Sequence, residues 1–183
     1  MTETHSAGRQ KPSQTVTRLR SLASEITTAT SSTSDKPSPP APVVLALAGR
    51  GFSVGGVVSE LLDQYALPRR DNFAVCVHYC VQALAVLRRE LGLPLMRRYS
   101  DGVSDAELRK LADTVENELL DSTPEDIEPI AAALISLGAA MHDAIVPLIE
   151  NPDLSLKIRN AARVTAEAAE TLRNHYGGDG GGW

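Results

Sequence analysis

The 183-residue sequence lacks the patterns that accompany β-structure. No segment alternates apolar and polar residues convincingly at period two, no Asn-Gly pair marks a tight hairpin, and we find no internal repeat. Apolar residues recur instead at helical spacing, which favours a helical domain. We therefore predict an all-α fold, a compact bundle of five or six helices over residues 43–176.

The sequence also lacks a catalytic or metal-binding constellation. Cys76 and Cys80 would share a helix face, but a zinc site needs four ligands, or three ligands and a water molecule. His142 and Asp143 are neighbours, so on a helix they diverge by about 100° and do not face one another. We predict no enzyme activity, no metal and no cofactor, with both cysteines as small buried core residues.

Glycine is concentrated in residues 49–56, a stretch that enters a predicted helix. A glycine-rich stretch of this kind can hold phosphate on the free N–H groups of a helix start. This one lacks the Lys-Ser/Thr pair of a P-loop, and its glycines do not fit the dinucleotide-binding spacing. The pattern favours a hinge or a closely packed helix start capped by Ser53, with phosphate binding as the alternative.

An apolar leader is missing from the first residues, and the chain has only two cysteines. Both features favour a reducing, cytoplasmic setting. The longest uncharged stretch, residues 73–87, would form a helix of about 22 Å, which is short of the roughly 20 apolar residues that a membrane span requires. We therefore expect no membrane among the partners.

The clearest single helix covers residues 71–92. Asp71 and Asn72 are good N-caps, Gly92 is a good stop, and no residue between 73 and 87 is charged. A helix that is apolar all round is buried on most of its sides. We therefore predict that the other helices surround this one.

Both ends of the chain are predicted to be arms. Residues 1–42 are rich in Ser, Thr and Pro, which predicts a disordered arm, and residues 177–183 form a flexible Gly-rich tail. Apolar residues in the first arm line one helical face and predict a short helix at 14–28 that docks on a partner or on a neighbouring copy. The alternative is a transient helix, because isolated helices of this length are marginal in water. The docking residues are Val16, Leu19, Leu22 and Ile26.

Capping residues and apolar residues at helical spacing predict three more helices. Ser104 and Glu107 form a capping box ahead of a surface helix whose outer side includes Glu116 and Glu118. The next helix begins near Thr123 and is expected to break and restart at Pro129. Its continuation carries small residues four apart, a ridge that lets another helix approach closely. The ridge consists of Ala132, Ser136, Ala140 and Ala144. A last amphipathic helix runs to about Tyr176.

Charge is segregated along the chain. Residues 69–100 carry a net charge of +4 and residues 101–128 a net charge of −8, within a total of −5. Such segregation can steer association between copies or with a charged partner, although charge runs are commonly solvated faces. Paired arginines and one aromatic residue form the candidate set for nucleic-acid or partner binding. The set is Arg69, Arg70, Arg88, Arg89, Arg97, Arg98 and Tyr99.

Two functions compete at this point. The first is a non-enzymatic helical assembly or adaptor protein that acts through self-association or protein–protein contacts, with a homo-oligomer as the expected state. The second is a nucleic-acid-coating protein, such as a viral nucleocapsid or coat-like subunit, with the arginine pairs on phosphate. The net negative charge argues against the second function, because nucleic-acid binders usually present a basic surface.

Overall fold

The computed structural model describes residues 13–31, 38–65, 70–92, 103–120 and 122–174. These residues contain six α-helices and no β-strand, which confirms the predicted all-α fold. Residues 1–12 of the predicted arm and the whole tail at 177–183 lie outside the described residues. The helices are α1 (Gln14–Thr30), α2 (Ala41–Tyr65), α3 (Arg70–Leu91), α4 (Asp105–Leu119), α5 (Pro124–Ile149) and α6 (Leu156–Asn174).

The centre of the fold is α2, which packs against each of the other described helices. Its large side chains Leu45, Phe52 and Leu62 have no exposed surface. The prediction that the helix at residues 71–92, which is α3, lies at the centre and is surrounded by the others is wrong.

Only one side of α3 is buried, and its main contacts are with α2 and α6. The opposite side faces solvent although it carries no charge over most of its length, and Val81 is 61% exposed. Lack of charge was a misleading signal, because alanine, valine and glutamine are all tolerated at a protein surface. The buried residues of α3 are Phe73, Cys76, Cys80, Ala83 and Leu87.

The helix start predicted at Ser53 does not occur, since α2 begins at Ala41 and runs through Gly49, Gly51 and Ser53 without interruption. A Cβ atom at Gly51 would collide with Sδ of Met141 in α5 and would lie 3.5 Å from Cδ1 of Ile26 in α1. The missing side chain therefore lets α2 approach α1 and α5 closely. Residues 49–56 lie inside a helix, so they offer no helix start for phosphate.

Proline does not interrupt α5, which contains both Pro129 and Pro147, so the predicted break at Pro129 is wrong. The first turn is held by Asp126, whose carboxylate accepts hydrogen bonds from the backbone N of Thr123 at 2.9 Å and from its Oγ1 at 2.7 Å. Pro129 lies on the exposed side of the helix, where water can replace the backbone hydrogen bond that proline removes.

The N-terminal helix α1 belongs to the core of its own chain. Val16, Leu19, Leu22 and Ile26 are 8%, 0%, 4% and 1% exposed, and α1 packs chiefly against α5. This position differs from the predicted one, in which the segment lies in a disordered arm and docks on a partner or on a neighbouring copy. Burial against α5 supplies the stability that an isolated helix of this length lacks in water, so the helical domain begins ahead of residue 43.

Helices α5 and α6 approach each other closely at Gly138. A Cβ atom there would lie 2.7 Å from the backbone N of Arg173 and 2.9 Å from the backbone O of Ala169. Because backbone atoms cannot yield as a flexible side chain does, we expect Gly138→Ala to lower the free energy of unfolding by about 1–3 kcal/mol. Urea unfolding followed by circular dichroism measures this change.

Gly56→Ala is the matched control for that variant. The nearest atom to a Cβ at Gly56 is the Cβ of Cys80 at 3.4 Å, which is an ordinary van der Waals distance. Alanine also favours a helix over glycine by about 1 kcal/mol, so this variant should be at least as stable as the wild type. A Gly138→Ala protein as stable as the wild type would contradict the close crossing.

Candidate interaction surfaces

One side of α5 is left uncovered by the other described helices, and we call it the outer face of α5. Its side chains are exposed or half-buried and recur at the spacing of one helical face. Between Ile130 and Ile149 the only Asp, Glu, Lys or Arg is Asp143. The face consists of Ala132, Ile135, Ser136, Ala139, Asp143, Val146 and Pro147.

The exposed sides of α4 and α6 differ sharply from this face. In α6, Lys157, Arg163, Glu167 and Glu170 are all exposed, so a charge occurs at nearly every turn. Charged side chains are equally frequent along the exposed side of α4. These two helices present the solvated surface that a soluble helix usually has, whereas α5 does not.

Burial within the chain does not account for the apolar character of α5. Both α2 and the Asp126–Ile149 part of α5 are long and apolar enough, by length and composition alone, to cross a membrane. In the most apolar 18-residue stretch of α2, 61% is buried inside the protein, but in the corresponding stretch of α5 only 33% is buried. The central position of α2 explains its composition, and α5 is more apolar than its contacts in this chain require.

The predicted small-residue ridge follows α5 from its outer face toward the core. Ala132 and Ser136 are exposed, Ala140 is half-buried and Ala144 is buried. The close backbone approach of α6 to α5 is at Gly138 instead, on a different side of α5. The exposed half of the ridge is therefore available to another molecule.

The second predicted arginine pair lies in the last turn of α3. Arg88 and Arg89 are exposed, and Nε of Arg89 is 2.6 Å from Oε1 of Glu90. Nζ of Lys157 in α6 lies 3.7 Å from the other oxygen of Glu90. The hydrogen bond from Arg89 is the main cause that lowers the pKa of Glu90. Two cations, Arg89 and Lys157, thus contact one carboxylate at this corner of the molecule.

The other predicted arginines cannot be placed in the same way. Arg69, Arg97, Arg98 and Tyr99 lie outside the described residues. Arg70 is the first residue of α3, and its side chain is outside the described part as well. Whether the pairs share one surface stays a prediction.

Glu118 of α4 holds the N-terminus of α1, a role that the sequence analysis missed. Its carboxylate accepts hydrogen bonds from Oγ of Ser13 and from the backbone N of Gln14, each at 2.7 Å. The backbone N of Thr15 lies 3.4 Å from both oxygens. A carboxylate here satisfies free N–H groups and complements the helix dipole. The residues involved are more than 100 positions apart, so no local pattern points to the contact.

Glu116 attaches α4 to α2. The hydroxyl of Tyr65 donates a hydrogen bond of 2.5 Å to Oε1 of Glu116. This bond is the main cause that raises the pKa of Tyr65. The sequence predicts that Glu116 and Glu118 lie on the outer side of a surface helix, whereas in the structure they fix α4 to two different helices.

The two cysteines offer little reactivity in the folded protein. Both are free and buried, and burial raises the pKa of the Cys76 thiol to about 12 and also raises the pKa of Cys80. A protonated, buried thiol is a poor nucleophile and a poor metal ligand. Among the residues that the structure describes, no group of three His, Cys, Asp or Glu side chains is arranged to hold a metal.

Comparisons of the chain with protein-family models, with curated proteins and with solved structures find no match.

We expect Glu118→Ala to loosen α1, because the variant leaves the N–H groups of Gln14 and Thr15 without their acceptor. Loss of a helix cap typically costs about 0.5–2 kcal/mol. Hydrogen exchange followed by mass spectrometry should show faster exchange in peptides from residues 14–30 than in those from α6. Asp113→Ala, which removes an exposed carboxylate of the same helix, is the control. Unchanged exchange in α1 would contradict the role of Glu118.

Proposed function

We propose that the protein is a non-enzymatic assembly protein that binds further copies of itself through the outer face of α5. The observation that carries the proposal is the composition of this face, on which Asp143 is the only charged side chain over about 24 Å of helix. Surfaces that exclude charge at their centre are typical of protein–protein interfaces.

Small side chains make this face suitable for a second helix. Ala132, Ser136 and Ala139 lie along it and project little from the helix. Two helices that meet through alanine and serine reach the close end of the interaxial range, at about 8 Å. Ile135 and Val146 flank the small residues and add apolar area to such a contact.

A second copy of the chain is the occupant that the position of Asp143 favours. Most soluble homo-oligomers use two-fold symmetry, in which the same patch faces itself. With the axis near Ala139 the two α5 helices are antiparallel, and the two Asp143 side chains are separated by about 12 Å along the axis. At that separation their repulsion is largely screened at physiological salt.

A lipid bilayer is a less favourable occupant of the same face. Asp143 and Ser136 lie within the apolar stretch, and a charged side chain near the bilayer centre costs about 2.5–3.5 kcal/mol by insertion scales. An interface between proteins tolerates a partly exposed carboxylate more readily, since water reaches its rim.

Nucleic-acid coating is the second candidate, and the corner formed by Arg89, Glu90 and Lys157, with the exposed Arg88 in the same turn of α3, favours it. The side chains of Arg89 and Lys157 are 72% and 57% exposed. Exposed cations around a single carboxylate leave a local positive charge that phosphate could neutralise. The net charge of −5 on the chain opposes this function.

Size-exclusion chromatography with light scattering tests the proposal on the full chain. We expect the wild type to have a mass of at least two chains of 19.5 kDa, and Ser136→Glu to have the mass of one, because the variant buries a charge in the interface. Asn160→Glu introduces the same charge on the exposed side of α6 and should assemble like the wild type.

Two results would overturn self-association through α5. One is a wild-type protein with the mass of a single chain at every concentration, and the other is a Ser136→Glu protein that assembles normally. Absorbance at 260 and 280 nm across the same peak separates the second candidate. A high ratio that disappears in the Arg88→Glu/Arg89→Glu variant would favour nucleic-acid coating instead.

A further inference from the structure

A groove of about 900 Å³ lies between α1, α2 and α4, away from the outer face of α5. Its volume is within the range of about 300–1,000 Å³ that small-molecule sites occupy. Helices α1 and α4 form its sides, and α2, the central helix, contributes Arg50 and Val54. The sequence gives no sign of this groove, because its walls come from three separate segments.

The lining of the groove combines apolar and charged side chains. Leu22, Val54 and Leu111 are 4%, 1% and 3% exposed, so they form an apolar base that the protein holds rigidly in its core. Three cations and two carboxylates surround this base and leave one net positive charge, although the chain as a whole carries −5.

Both carboxylates of the groove already have partners. Oε1 of Glu25 lies 2.6 Å from a guanidinium nitrogen of Arg50. Glu107 accepts hydrogen bonds from the backbone N of Ser104 at 2.9 Å and from its Oγ at 3.2 Å. The backbone hydrogen bond is the main cause that lowers the pKa of Glu107, with Arg18 and Arg50 adding smaller effects.

Two of the three cations have no such partner. Neither Arg18 nor Lys110 forms an ion pair with any described residue. The Nε atom of Arg50 is buried and also lacks a hydrogen-bond partner within the described part of the chain. Arg18 is half-buried and Lys110 is exposed, so their donors are open to an incoming anion. Beside an apolar base they suit a ligand that brings both an anion and an apolar body.

We propose that this groove binds a small amphipathic organic anion, with its acidic group on Arg18 and Lys110 and its apolar part over Leu22, Val54 and Leu111. A carboxylate, phosphate or sulfonate group meets the requirement, since arginine forms paired hydrogen bonds with all such planar or tetrahedral anions. Inorganic phosphate alone leaves the apolar base uncovered and should bind far more weakly.

Anilinonaphthalene sulfonate is a direct probe, because it is an amphipathic organic anion whose fluorescence rises on binding. We expect saturable binding of one molecule per chain, weakened at least about tenfold in Arg18→Gln/Lys110→Gln, since hydrogen bonds to charged groups are lost. Arg20→Gln/Arg163→Gln removes two exposed cations elsewhere and should bind like the wild type. Equal weakening in both double variants would overturn the specific site.

A second pair of variants tests the location without changing charge. Ser21 lines the groove, and Ser24, one turn further along α1, is exposed but does not line it. Ser21→Trp should fill the groove and abolish binding, whereas Ser24→Trp should leave it unchanged. If Ser136→Glu alone abolished binding, the probe would occupy the outer face of α5 and the proposal would fail.

Two further measurements distinguish the ligand chemistry from non-specific binding. Neutral phenylnaphthylamine has only the apolar part of the proposed ligand, and inorganic phosphate has only the anionic part. Neither compound should displace the probe at equal concentration. A ligand of the native state raises the Tm of the protein, whereas a dye that binds loosened chains lowers it. A lowered Tm, or complete displacement by phosphate, would contradict the proposal.

Discussion

Close packing around α2 is the constraint on which the rest of the structure depends. Every other described helix contacts α2, and the chain has small residues where those contacts are tightest. Gly51 leaves room for the side chains of Met141 and Ile26. Gly55 lies against Leu172, whose Cδ1 is 3.4 Å from the position that a Cβ atom on Gly55 would take. The helix α2 contains four glycines, each of which lowers helix stability by up to about 1 kcal/mol relative to alanine. Close packing against its neighbours explains why α2 is nevertheless continuous over its whole length.

This arrangement also determines which surfaces are left for other molecules. α1 packs on one side of α5 and α6 on another, so the outer face of α5 is the side that the described helices leave uncovered. The same packing places α1 and α4 on either side of α2, with Glu118 tying them together at one end. The groove between α1, α2 and α4 is the space that these two helices leave above α2.

Much of the fold could be predicted from local sequence signals. The capping box of Ser104 and Glu107 is present, and the all-α class follows from periodicity alone. The errors arose where a local signal depends on tertiary context. An uncharged stretch in α3 proved half exposed, and Pro129 proved compatible with a continuous helix. The groove and the Glu118 contact join residues far apart in the chain, and no local pattern encodes them.

The central claim, that α5 pairs with α5 of a second copy near Ala139, is tested most directly by disulfide cross-linking of Ala139→Cys. Cys76 and Cys80 are buried and should contribute no background. Mild oxidation of the full chain should give a covalent dimer on a non-reducing gel, because a two-fold axis at this position brings the two Cα atoms within the range of about 4.4–6.8 Å that a disulfide requires. Asn160→Cys on α6 should assemble like the wild type but run as a single chain on the same gel. Absence of the dimer at position 139, or equal cross-linking at both positions, would contradict the account.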